Sequence, residues 1–179
     1  MRDSLGCMPK SACTVAFIWF ASLSRPCSAQ VATSALPAWA TTSDAYISRD
    51  SAVVSGVSLG LREDQLRNIL GQPDSVVHGY SGMIDSTVEL YFRTAYALLS
   101  PNGVENFECW GKGCQQKSGV GVGSTVREVV NKLGRGFPGY GPDSSYSLIY
   151  YVQGRDSWLE FLFDKELRVR RVSLANDNS

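Results

Sequence analysis

Histidine is nearly missing from this sequence: His78 stands alone among 179 residues. A histidine-rich metal site or a histidine-based nucleophile relay therefore lacks partners. Set in Val76-Val77-His78-Gly79-Tyr80, His78 reads as a structural or solvent-facing side chain. Net charge is missing as well, because 17 basic and 17 acidic residues cancel. No global field draws such a chain to nucleic acid or to an anionic membrane surface. The acidic residues are scattered, with no spacing that sets two carboxylates on one site, so a two-carboxylate hydrolase has no signature here. Glycines 119, 121 and 123 imitate a nucleotide loop. No lysine follows them as in a P-loop, and no crossover pattern surrounds them. No cofactor or metal is expected.

Long apolar runs are absent too. Residues 12–23 (ACTVAFIWFASL) form an uncharged stretch of twelve, against about 20 residues needed to span a bilayer. Arg2 and Lys10 precede it, and Cys27-Ser28-Ala29 offers small residues where a signal peptidase cuts. The layout is that of a secretory signal over 1–29, cut after Ala29. Its removal takes Arg2, Lys10, Arg25 and Asp3 with it and leaves a slight acidic excess. The expected location is periplasmic or secreted, with no stable membrane span. Ser24-Arg25-Pro26 is a poor lipidation context for Cys27. Residues 30–52 read as a flexible leader.

Cysteine is scarce in what remains. Cys7, Cys13 and Cys27 depart with the signal, leaving Cys109 and Cys114. An even count in an oxidising compartment and a glycine-bearing gap of Trp-Gly-Lys-Gly point to a local disulfide. A redox dithiol would have two intervening residues, not four. So short a ring contributes about 2 kcal/mol by the loop-entropy relation.

What the sequence does contain is an internal similarity at an offset of 63 residues. Residues 55–60 (SGVSLG) match 118–123 (SGVGVG), and Asn68, Leu70 and Gly71 meet Asn131, Leu133 and Gly134. Each stretch opens a helix. Val126, Val129, Val130 and Leu133 share one helical face, with Thr125 and Glu128 as a capping box and Gly134 as terminator. Leu66, Ile69 and Leu70 make the earlier stripe, ended by Gly71 and Pro73. Alternation then predicts strands over 86–92, 95–99 and 104–109, and again over 146–152, 158–163 and 167–174. Val53, Val54 and Val57 read as an additional edge strand. The expectation is an α+β fold: a tandem repeat of a short helix followed by an antiparallel three- to four-stranded meander, helices on one face of the sheet. The first repeat covers 53–111, a linker 112–119, the second repeat 120–174 and a tail 175–179.

Residues 60–73 (GLREDQLRNILGQP) and 123–136 (GSTVREVVNKLGRG) share a glycine, a short helix and Leu-Gly, the first with a following proline. Leu90-Tyr91-Phe92 and 161–164 (FLFD) add to the pattern. The chain thereby resembles the SmpA/OmlA family of small outer-membrane assembly lipoproteins and, doubled, is similar to the beta-lactamase inhibitor protein fold. The resemblance spans residues 55–174 and implies a helix-packed antiparallel sheet that binds protein rather than catalysing a reaction. The lipid-anchor motif is missing, Arg62 replaces a hydroxyl cap, and the inhibitor's within-repeat disulfide is absent.

Function is expected to rest on surface aromatics. The loop 134–146 (GRGFPGYGPDSSY) carries Phe137, Tyr140 and Tyr146 amid glycine and proline, the setting of protein-binding anchors. Trp110 sits inside the disulfide loop beside Lys112. Trp158 alternates away from Leu159, Phe161 and Phe163, which places it on an open sheet face. Arg168, Arg170 and Arg171 read as charge guarding an edge strand, with a bulge at Arg170-Arg171. The reading is an exported, non-enzymatic protein-binding or envelope-assembly module whose partner is an envelope or secreted protein. The alternative is a proteinaceous enzyme inhibitor of the beta-lactamase inhibitor type.

Overall fold

The computed structural model describes residues 36–81, 84–141 and 143–176. The expected signal segment 1–29, with Cys27 and the cut after Ala29, lies outside them, as do residues 177–179. In chain order the described residues give β1 (Tyr46–Ile47), α1 (Glu63–Leu70), β2 (Ser75–Ser81), β3 (Ile84–Phe92), β4 (Ala95–Ser100) and β5 (Gly103–Cys109). There follow α2 (Val126–Leu133), β6 (Phe137–Tyr140), β7 (Tyr146–Val152), β8 (Ser157–Phe163) and β9 (Val169–Asn176).

Two α-helices of eight residues each are too short to persist alone. Their ends are built for termination and their inner faces for packing. The Thr125 hydroxyl accepts from the Glu128 N–H at 3.3 Å, and the Glu128 carboxylate accepts from the Thr125 N–H at 2.7 Å. The Thr125 N–H foremost, and then the Thr125 hydroxyl donating to the same carboxylate at 2.9 Å, hold the Glu128 carboxyl below the usual carboxylate range. At α1 the Gln65 side chain performs the second half of that exchange, accepting from the Arg62 N–H at 2.9 Å. Both helices stop at a glycine with positive φ, Gly71 at +84° and Gly134 at +85°. Leu66, Val126 and Val129 are buried in one common core. Ile69, expected on the buried stripe of α1, is 43% exposed.

The expected tandem of two helix-plus-meander units is overturned. The nine strands form a single mixed sheet in the order β1-β7-β8-β9-β5-β4-β3-β2, with β6 pairing β7. The physical reason lies at the seam. Two separate meanders would each expose the edges of their terminal strands. Instead β5 and β9 pair antiparallel, Phe107 opposite Leu174 and Cys109 opposite Val172, and both of those edges disappear. β1 also departs from any repeat, since it comes from the segment before α1 and runs parallel to β7, Tyr46 opposite Tyr151.

One face of this sheet is the core. A row of fully buried side chains crosses six strands: Tyr150, Leu159, Leu174, Phe107, Ala97 and Leu90, each opposite the next. The described residues of the leader, from 36 on, and of the linker pack against the same body. Ala40, Ala45 and Ile47 are buried. Gln116 is 2% exposed and its amide donates to the Ser51 carbonyl. Val54 and Val57 do not form an edge strand. They close a tight turn on each other, Val57 N–H to Val54 carbonyl at 2.8 Å, and both are wholly buried. The glycine run is structural: Gly119 and Gly123 hold positive φ, and a Cβ on Gly121 would collide with the Cys114 carbonyl oxygen. Among the described residues no helix is long and apolar enough to cross a membrane.

Candidate protein-interaction face

The alternation that buries one face of each strand presents the other side chain in every pair to the opposite face. Two rows cross that open face. The first runs Tyr46, Tyr151, Trp158, Ala175, Asn106, Leu98, Glu89 and Val77, from β1 to β2. The second runs Phe137, Ile149, Glu160, Ser173, Glu108, Tyr96, Tyr91 and Ser75, from β6 to β2. Aromatics stand at both ends and carboxylates lie between.

At the β1/β7 end the Tyr46 and Tyr151 ring centroids are 6.0 Å apart, and Phe137 meets Tyr151 edge-on at 6.2 Å. Trp158 lies opposite Tyr151 in register, half-buried. Tyr46, Tyr151 and Phe137 are 59%, 40% and 36% exposed, so three large rings on adjacent strands lie partly in water. Rings of this kind contribute most when a partner dehydrates them.

At the other end the Tyr91 and Tyr96 rings meet at a tilt, their centroids 5.1 Å apart. The Tyr91 hydroxyl donates to a Glu89 carboxylate oxygen at 2.5 Å. That bond to Glu89 raises the Tyr91 phenol above its ordinary range. Tyr96 is pushed up to about 12, first by burial and then by the Glu89 charge. Both phenols stay protonated donors at neutral pH. Between the two ends Glu108 pairs with the Arg171 guanidinium at 3.1 Å. Among the described residues, Glu89 and Glu160 have no cationic partner. Among the described residues, the Asn106 side-chain Oδ1 and the Arg171 Nε are buried without a hydrogen-bond partner.

The structure divides the aromatic loop predicted from sequence. Phe137 belongs to the open face. Tyr140 and Tyr146, 5.4 Å apart, lie on the other side of the sheet, because Tyr146 shares its side with Leu148 and Tyr150. Trp158 is on the open face as expected. Trp110, 42% exposed, borders a shallow recess with Leu162, Arg170 and Arg171 at the end of β5. Cys109 and Cys114 are joined by a disulfide, Cα atoms 5.8 Å apart. The arginine cluster does not guard an edge, since β9 lies in the middle of the sheet between β8 and β5. Its register does shift opposite Leu162 and Phe163, so the bulge at Arg170-Arg171 is present. Arg170 reaches the Asp143 carboxylate at 2.6 Å and ties Asp143 to β9.

Sequence reading missed Tyr46, Tyr91, Tyr96 and Tyr151, and with them Glu89, Glu108 and Glu160. The signal was present. Glu89 and Tyr91 alternate with Val88, Leu90 and Phe92, and Tyr151 alternates with Tyr150 and Val152.

No family model matches the chain, and no curated protein matches it. Among solved structures it is similar to a cysteine-rich secretory protein from Staphylococcus aureus, at 13% identity and TM-score 0.49, covering 75% of this chain and 50% of that one. A DUF4309 family protein from Bacillus subtilis aligns at 14% identity and TM-score 0.44, over 68% of this chain and 83% of the other. A candidate beta-lactamase inhibitor protein from Streptococcus mutans aligns at 15% identity and TM-score 0.28, over 62% and 80%. The chain thus spans about half the length of the staphylococcal protein.

Proposed function

We propose that this chain is an exported, non-enzymatic module that binds another protein through the open face of its sheet. The observation that carries the reading is the pair of rows described above, with solvent-exposed rings at both ends and, between them, Glu160, which has no cationic partner among the described residues. A side of a sheet that faced only water would alternate to polar residues. This one holds Tyr46, Tyr151, Phe137, Tyr91 and Val77, each at least 36% exposed. Clusters of exposed large rings such as Tyr46, Tyr151 and Phe137 mark interaction sites. Export is supported by the signal-like layout of residues 1–29 and by the Cys109–Cys114 disulfide, which suits an oxidising compartment. The likeness of residues 60–73 to the SmpA/OmlA pattern favours an envelope setting.

The test is comparative capture from envelope and culture-supernatant extracts, using the native chain, a Tyr151→Ala/Trp158→Ala/Tyr91→Ala variant and a Tyr140→Ala control. The open-face variant should lose its partner while the control, altered on the other side of the sheet, keeps it. Equal recovery of the same proteins by all three would sink the reading.

A further inference from the structure

A second recess, built quite differently, lies at the turn of the β7–β8 hairpin. It encloses about 240 Å³. Its floor is apolar, made by Ala52, Leu59 and Val152, all buried. Its walls are cationic. Arg49, Lys117 and Arg155 converge there against a single carboxylate, Asp50. None of the three cations forms an ion pair among the described residues.

Arg49 is held by its side chain, and Lys117 and Arg155 by their backbone, the Arg155 N–H donating to the Val152 carbonyl at 3.2 Å. The Arg49 Nη2 donates to the Gly154 carbonyl at 2.5 Å and its Nε to the Gln153 carbonyl at 3.4 Å. Among the described residues Nη1 takes part in neither bond and remains a free donor. Gly154 makes the approach possible: its φ is +68°, and an added Cβ would stand 3.2 Å from Nη2. Lys117 is fixed at its backbone, whose N–H donates to the Val53 carbonyl at 3.0 Å. Ser157 lines the recess, is 2% exposed, and has its hydroxyl oxygen buried without a partner. Three like charges around one small concavity repel each other, and Asp50 offsets only one of them.

The geometry points to a binding site for a small oxyanion, a phosphate ester or a carboxylate, held by Arg49, Lys117 and Arg155. Both classes offer the cluster of acceptor oxygens that guanidinium and ammonium groups recognise. The recess has room for the anion and a short organic tail over the apolar floor. The site stands apart from the protein-binding role, although Arg155 also borders the recess formed by Tyr46, Tyr151 and Trp158.

Thermal unfolding of the full chain tests this, with inorganic phosphate and acetate titrated separately at ionic strength matched by sodium chloride. The midpoint should rise saturably with one or both anions, as binding to the folded state requires. The arm that responds identifies the class. A Lys117→Ala/Arg155→Ala variant should bind about tenfold more weakly or worse. Lys165→Ala, elsewhere on the surface, should match the native chain. Asp50→Asn removes the opposing charge and should bind more tightly. Absence of a saturable response to both anions overturns the proposal, as does an equal response in the double variant. Should that variant unfold, Asp50→Asn decides alone, and unchanged or weaker binding overturns it.

Discussion

Asp143 shows how a few bonds set the behaviour of one exposed group. The Ser145 hydroxyl donates to its carboxylate at 2.6 Å and Arg170 at 2.6 to 2.7 Å. Together, Ser145 foremost, they bring its carboxyl down to about 2. The folded value lies below that of an unfolded aspartate, about 3.9. The tie between Asp143 and β9 is therefore complete above that unfolded value, and it is lost as pH falls from about 4 towards 2. Carboxyl NMR titration should place Asp143 well below the other aspartates. Ser145→Ala and Arg170→Ala should each move its midpoint upward, the serine variant at least as far. A midpoint indifferent to both substitutions would refute that origin. Tyr150 is a buried counterpart. Burial raises its phenol well above the ordinary range, and the hydroxyl donates to the Gly134 carbonyl at 2.8 Å. Tyr150→Phe keeps the ring and removes that bond, so urea unfolding should show a loss of about 1 kcal/mol.

Among the elements, α2 was fully legible and β6 was not, for reasons visible in their residues. The helix combines a 3.6-residue apolar period, a hydroxyl cap with glutamate three residues on, and a glycine stop. Each is a local signal and all agree. Thr125→Ala removes the cap and should cost about 1 kcal/mol by urea unfolding. Thr125→Ser should recover most of it, and a variant series with no such difference would discount the cap. The long strands β3, β4, β5, β7 and β8 were legible from alternation, with bounds within two residues of those observed. β6 reads Phe-Pro-Gly-Tyr, which carries turn residues and no alternation, and it pairs only because β7 offers it a free side. β1 is two residues long, and its parallel partner lies about a hundred positions away. No local pattern encodes such a pairing. The candidate face was legible in part. Trp158 could be placed on it, but a loop reading of 137–140 could not separate Phe137 from Tyr140, which a strand's alternation sends to opposite sides.

At the scale of the whole molecule the decisive fact is the β5–β9 seam. Alternation tells which way a side chain points, but not which strand lies beside it. Two similar stretches of sequence therefore suggested two units, while the pairing of β5 with β9 made one sheet and one core. Phe107 sits at that seam, fully buried between Ala97 and Leu174. Truncating it to alanine removes a large side chain from the middle of the row, with a cost of about 3–5 kcal/mol. The location sharpens the prediction beyond that magnitude. If a single core holds the sheet, Phe107→Ala should lower the denaturant midpoint and leave one transition, coincident by tryptophan fluorescence and far-ultraviolet dichroism. Trp110 follows β5 and Trp158 lies on β8, so fluorescence reports from both sides of the seam. Two separated transitions would mean that the strands on either side fold without each other, and the continuous core inferred from the buried row would have to be abandoned.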